Sequence, residues 1–121
     1  MDQSRRILVL LVDDEPLVRL VAAEGLEDAG YDVIEASSAG EALDVLRSRT
    51  DVGVLFTDIN MPGPIDGLGL AELVHLRWPA IKLVVTSGRA LVGKPPDDGR
   101  FLAKPYTADE MTASLRGARG L

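Results

Sequence analysis

Asp13 and Asp14, Asp58, Thr86 and Lys104 stand far apart along the chain, yet each falls where an apolar run stops. Ile7–Val12 is wholly apolar and ends at Asp13-Asp14-Glu15-Pro16, and Val52–Thr57 ends at Asp58. Ile81–Val85 ends at Thr86-Ser87-Gly88, and the short Phe101–Ala103 ends at Lys104-Pro105. Short apolar runs bounded by turn residues fit strands buried on both faces. Such a strand cannot hold an unpaired carboxylate in its middle, so the first polar residue marks where it leaves the sheet. If the strands are parallel, three carboxylates, a hydroxyl and an ammonium open onto one edge. Carboxylates crowded together favour protonation of one of them or capture of a cation. With oxygen donors and no His or Cys beside them, the suitable ions are Mg2+ or Mn2+. Mg2+ keeps several waters and binds through one or two carboxylates together with phosphate oxygens. A carboxylate can also act as a nucleophile and form an aspartyl phosphate. Thr86 can donate to a phosphoryl oxygen and Lys104 can neutralise another, and phosphoryl transfer needs mainly such positioning and charge compensation.

The elements that must place these residues can be read from the pattern between them. Pro16 suits the first position of a helix, and Val18, Val21, Ala22, Gly25, Leu26 and Ala29 share a face before Gly30 closes it. Tyr31–Ala36 has Val33 and Ile34 between Asp32 and Glu35, which reads as an edge strand. Ser38 and Glu41 have capping-box spacing, and Ala39, Ala42, Leu43 and Leu46 form one face of the helix they open. Asp66-Gly67 leads into a helix over Leu68–Arg77 that Trp78-Pro79 ends. Thr107 and Glu110 form a second capping box, with Met111, Leu115 and Ala118 on the apolar side of the last helix. Alternating strands and helices mean a parallel α/β sheet with helices on both faces. With the second strand at an edge and right-handed crossovers, the expected order is 2-1-3-4-5, with the crevice outside the carboxyl ends of the strands.

Composition narrows the classes. The 121 residues are expected to form one domain, 1–121, with its own core. A net charge of −6 and the single basic pair Arg5-Arg6 argue against direct DNA binding. There are no cysteines, hence no disulfides and no thiolate metal site. The longest aliphatic run is too short to cross a bilayer, and it meets Asp13-Asp14-Glu15 rather than a cleavage site, so a cytoplasmic protein with no membrane association is expected.

At these residues the chain resembles the response-regulator receiver domain of two-component signalling. The likeness covers nearly the whole chain: Val12-Asp13-Asp14-Glu15-Pro16, Thr57-Asp58-Ile59-Asn60-Met61-Pro62, Asp66-Gly67, Thr86-Ser87-Gly88 and Lys104-Pro105-Tyr106. It implies a flavodoxin-like, doubly wound five-stranded fold. It implies that Asp58 accepts phosphate from a phosphohistidine on a sensor histidine kinase or histidine phosphotransfer protein. Asp13, Asp14 and Asp58 would bind Mg2+, or Mn2+, with the Asn60 main-chain carbonyl as a further ligand. Lys104 would hold the phosphate, Thr86 would move toward it, Phe101 occupies the aromatic switch position, and the Lys104–Pro105 bond would be cis. Two departures stand out. Gly63-Pro64-Ile65 is one residue longer than the usual loop, and the segment between Thr86 and Phe101, with Gly93, Pro95, Pro96 and Gly99, leaves room for about one helical turn at Arg89–Val92. The fourth helical region is therefore expected to be shortened or irregular.

Plainer readings stand beside these. Phe101 also suits a core position, His75 a packing or surface position, Trp78 a helix stop, and Tyr106 packing against the last helix. Asp97-Asp98-Gly99 reads as a solvated turn. Ending at Leu121, the chain is expected to be a single-domain switch, monomeric or weakly dimeric, acting on a separate output protein and not an enzyme. The alternatives are a relay intermediate or a receiver belonging to a hybrid kinase. A small phosphohydrolase with an aspartate nucleophile would favour a carboxylate at position 60, where the chain has Asn60. A nucleotide-binding domain would need a glycine-rich loop in place of Asp13-Asp14-Glu15-Pro16.

Overall fold

The apolar runs form strands because they can bury both faces at once. A computed structural model of the chain describes residues 6–88 and 100–118, with the side chains of 117 and 118 outside the description. Strands β1 (Leu8–Val12), β2 (Asp32–Ala36), β3 (Val52–Asp58), β4 (Lys82–Ser87) and β5 (Arg100–Ala103) form one sheet in the order β2-β1-β3-β4-β5. Every neighbouring pair is parallel. Four helices lie between or after them among the described residues: α1 (Pro16–Asp28), α2 (Ala39–Ser48), α3 (Gly67–Arg77) and α4 (Ala108–Ala118). This is the flavodoxin-like order expected from the pattern. Of the segment between Thr86 and Phe101 expected to be shortened or irregular, Ser87 closes β4 and Arg100 opens β5, so both ends belong to strands, and 89–99 lies outside the described residues.

Alternate residues of β1 divide the core in two. Leu8, Leu10 and Val12 face α2 and α3, packing with Leu43, Leu46, Leu70 and Val74. Val9 and Leu11 face α1 and α4, packing with Ala22, Leu26, Met111 and Leu115. β1 and β3 are central and buried on both faces, whereas β2 at the edge has exposed Asp32 and Glu35. That contrast is why the edge was legible from composition alone.

The caps follow the sequence closely, with one change. Thr107 and Glu110 close a full box: Glu110 N–H donates to Thr107 Oγ1 at 3.1 Å and Thr107 N–H to Glu110 Oε1 at 2.8 Å. At α2, Glu41 N–H donates to Ser38 Oγ at 3.1 Å, but Glu41 Oε1 accepts from Ser37, backbone and hydroxyl, rather than from Ser38. Ala39, Ala42, Leu43 and Leu46 are buried as expected. Trp78 caps α3 and lies partly buried against the core. Gly30 ends α1 at φ +98. The apolar face of α1 is the correction. Its buried residues are Ala22, Ala23 and Leu26, whereas Val21 is 67% exposed and Ala29 lies outside. The helix is apolar nearly all round, with Leu17 and Leu20 also exposed, so its periodicity did not single out the stripe that meets the sheet. The Lys104–Pro105 bond is cis.

Gly67 is held to its identity by the backbone it meets. A Cβ there would fall 1.7 Å from the Asp58 carbonyl oxygen and 2.5 Å from its carbon. Gly40, near the start of α2, has only the Ser38 hydroxyl at 3.8 Å from such an atom. Urea denaturation should therefore separate two formally identical changes. Gly67→Ala should cost about 1–3 kcal/mol, because main chain must move. Gly40→Ala should gain roughly 0.5–1 kcal/mol from reduced chain entropy.

Candidate functional site

The register brings the polar strand ends together. Val12 pairs with Thr57, so Asp13 follows beside Asp58; Asp58 itself pairs with Thr86, and Ser87 with Ala103, one residue before Lys104. Lys104 Nζ lies 3.1 Å from Asp58 Oδ2 and 3.2 Å from Asp13 Oδ2. Both carboxylates are buried, at 4% and 3% exposure. A longer approach to Glu15 Oε1 at 3.8 Å ends on a side chain 63% exposed, where a charge pair contributes little. One oxygen each of Asp13, Asp14 and Asp58 fits within 4.8 Å of the others. Among the described residues, Lys104 is the one side-chain cation within ion-pair distance of Asp13 and Asp58.

Backbone and side-chain bonds hold each group in place. Asp13 N–H donates to Ala36 O at 3.1 Å, and Asp13 Oδ1 accepts the Glu15 N–H at 2.9 Å. Arg19, the lone cation of α1, donates from Nη1 to the Asp13 carbonyl at 2.7 Å and from Nε to Glu35 Oε1 at 3.0 Å. Asp58 Oδ1 accepts the Asn60 N–H at 3.1 Å. Ile59 N–H donates to the Thr86 carbonyl at 2.8 Å, and Gly67 N–H to the Ile59 carbonyl at 3.0 Å. Asp66 caps α3 by accepting the Gly69 N–H at 2.9 Å. The glycine and aspartate read as a motif thus tie the segment after Asp58 to a helix start.

The seven residues singled out divide in two. Asp13, Asp14, Asp58, Asn60, Thr86 and Lys104 converge on the edge, with Thr86 1% exposed at the end of β4. Phe101 is set back on β5, half-buried and packed against the α2–α3 core cluster. Tyr106 packs on the other cluster, its ring edge-on to Phe56 at 5.8 Å. Burial pushes its hydroxyl up to about 12, so it stays protonated. Sequence reasoning missed Arg19 and Ser87. Arg19 carried a usable signal as a cation in an otherwise apolar and acidic helix. Ser87 carried none beyond its place beside Thr86.

Electrostatically the site is short of positive charge. Burial raises the Asp58 carboxyl above the ordinary aspartate range, Lys104 and the Asn60 N–H pull it back, and Asp13 adds to the rise. Burial alone would lower the Lys104 ammonium, but the Asp58 hydrogen bond and the charges of Asp13 and Asp58 outweigh it and raise it. Both shifts retain protons, at Asp58 chiefly through burial and at Lys104 through the neighbouring carboxylates. The donor set is all carboxylate oxygen, which suits a hard divalent cation and no soft one.

A pH test follows from the sign of the Asp58 shift. An acid whose folded pKa lies above its unfolded value makes the folded state bind more protons, so stability falls as pH rises through that interval. The interval begins near the unperturbed 3.8 and runs upward. Asp58→Asn should therefore melt higher at pH 7 in chelator, by about 3–5 °C, the shift that roughly 1 kcal/mol makes in a domain of this size. The gain should vanish as pH falls through the interval. Equal melting temperatures for variant and parent at neutral and acid pH would contradict the upward shift that burial gives Asp58.

Comparison with known proteins agrees with the geometry. The family model described as the response regulator receiver domain matches residues 9–116. The probable chemotaxis protein CheY of Rhizobium etli is 29% identical, with 99% of this chain and 98% of that protein aligned. The putative NtrX-like response regulator of Rickettsia felis is 30% identical over 91% of this chain, which spans only 24% of that protein's length. The crystal structure of the response regulator TrrA from Thermotoga maritima, in complex with Mg2+-BeF, superposes with a TM-score of 0.81 at 25% identity, covering 93% of this chain and 98% of that one. With the carboxylate pair, the buried aspartate and the lysine in one crevice of a 2-1-3-4-5 sheet, the chain belongs to the response regulator receiver domain family of two-component signalling.

Proposed function

We propose that this chain is a phosphorylation-operated switch in which Asp58 takes a phosphoryl group from a phosphohistidine on a sensor kinase or histidine phosphotransfer protein. The observation that carries this reading is the position of Lys104, 3.1 Å from Asp58 Oδ2 and 3.2 Å from Asp13 Oδ2, with Asp14 alongside. A nucleophile, a counter-charge for the phosphoryl group and a place for a cation occupy one crevice.

In the transfer, an Asp58 carboxylate oxygen bonds to phosphorus as the phosphorus–nitrogen bond breaks. The imidazole leaves with that electron pair and takes up a proton. Asp13, Asp14 and Asp58, with the Asn60 main-chain carbonyl, would hold Mg2+, which supplies charge that neutralises phosphoryl oxygens and carboxylates when bound. Asn60 N–H keeps Asp58 Oδ1 oriented. Lys104, already on Asp58 Oδ2, turns its ammonium to a phosphoryl oxygen, where charge compensation is worth most in a crevice of low dielectric. Thr86, beside Asp58 in the register, offers a hydroxyl to the same group. Phe101 follows Thr86 in the switch reading.

The reading extends to a chain that acts in the cytoplasm as a monomer or weak dimer, on a separate output protein, without DNA binding or an enzymatic substrate of its own. A second reading, a receiver forming one part of a longer signalling protein or a relay step, is favoured by relatives four times as long as the region they share with this chain. Phosphotransfer from a panel of purified histidine kinases, and onward to phosphotransfer domains, separates the two. Against a phosphohydrolase stands the occupant of position 60, an amide whose Oδ1 accepts the Ser87 hydroxyl.

The direct test is incubation with acetyl phosphate followed by intact mass. One phosphoryl adduct is expected with Mg2+ present, falling at least tenfold in chelator and absent in Asp58→Asn. An adduct that persists in Asp58→Asn would overturn the assignment.

A further inference from the structure

Ser87 has no part in the chemistry just described, yet its hydrogen bonds reach toward both Asp58 and Lys104. It is the last residue of β4 and is 3% exposed. Its Oγ donates to Asn60 Oδ1 at 2.6 Å, across 27 positions of chain. Its carbonyl accepts the Lys104 N–H at 2.9 Å, and the carbonyl of Thr86 just before it accepts the Ile59 N–H at 2.8 Å. Asn60 N–H in turn donates to Asp58 Oδ1 at 3.1 Å. One path of hydrogen bonds therefore runs from the Ser87 hydroxyl through Asn60 to the nucleophile. A second runs from the Ser87 carbonyl to the backbone that carries Lys104.

The exposure of Asn60 gives the first path its meaning. Asn60 is exposed, and although Ile59 and Met61 on either side of it pack in the core, the Asn60 side chain has no apolar packing to fix its direction. A short bond from a buried hydroxyl on a rigid strand end fixes it instead. Because Asn60 presents its N–H to Asp58, fixing the Asn60 side chain also fixes which way the Asp58 carboxylate faces.

We propose that Ser87 is a positioning residue for Asp58, its hydroxyl acting through the Asn60 side chain to hold residues 58–60 in the arrangement that receives cation and phosphoryl group. The inference rests on the phosphoacceptor reading above. It also makes a statement about metal affinity that does not depend on transfer: a turn free to reorient presents Asp58 less often in the position where Asp13 and Asp14 can share a cation with it.

A double-mutant cycle of Ser87→Ala, Asn60→Ala and the pair tests it, with two readouts for each protein. These are the rate of phosphorylation by acetyl phosphate at saturating Mg2+, and the Mg2+ dissociation constant by calorimetric titration. Each single change should weaken both by about three- to tenfold, the range of one hydrogen bond. The double variant should be no worse than either single one, because both remove the same link. Parent-like rate and affinity in Ser87→Ala, or losses that add in the double variant, would overturn the proposal. So would a Ser87→Ala protein that melts lower yet binds Mg2+ as the parent does, since that is the mark of a merely structural role. A parent that takes no phosphate would instead sink the phosphoacceptor reading, and the Mg2+ affinities alone would then decide the role of Ser87.

Discussion

One ammonium faces too many carboxylates. Lys104 lies within 3.2 Å of both Asp13 and Asp58, with Asp14 close enough to share a cation with them. Asp13 and Asp58 are almost fully buried, where like charges repel through a low dielectric and water screens them poorly. Such a cluster would be lost from a structural core, because apolar side chains of the same size would be more stable there. Its persistence depends on a scaffold stiff enough to hold the groups together without a full complement of positive charge.

The parallel sheet supplies that stiffness. β1 and β3 are buried on both faces, so their register cannot slip without exposing apolar side chains to water or polar ones to the core. The same register sets Asp13 beside Asp58, and Asp58 beside Thr86. Short links then fix the loops: Arg19 on the Asp13 carbonyl, Gly67 against the Asp58 carbonyl, and Thr86 on the Ile59 amide. Each of these three links acts on main chain, so none of them occupies a carboxylate oxygen.

The parts legible in the sequence were those governed by the cost of burying charge. Val52–Thr57 cannot contain a carboxylate, so Asp58 had to mark the sheet edge, and the same logic placed Asp13 and Lys104. The α2 face was legible because its apolar residues recur at helical spacing among polar ones, unlike those of α1, where exposed Leu17, Leu20 and Val21 masked the stripe. The exact partners of side-chain bonds, near or far along the chain, left no trace in local pattern. Ser87 reaches Asn60, and Glu41 reaches Ser37 instead of Ser38, through side-chain geometry that residue types do not encode. Gly67 was readable as part of a motif, but the reason for it, a carbonyl within 1.7 Å of where a Cβ would lie, belongs to tertiary packing.

If surplus negative charge is what the site is built around, the empty and metal-bound proteins must respond differently to losing a carboxylate. Thermal melts of the parent and Asp13→Ala across a Mg2+ series measure this directly. The account predicts that Asp13→Ala melts at or above the parent in chelator, relieved of repulsion, and falls below it as Mg2+ rises and stabilises the parent alone. Two curves that stay parallel at every Mg2+ concentration would contradict it.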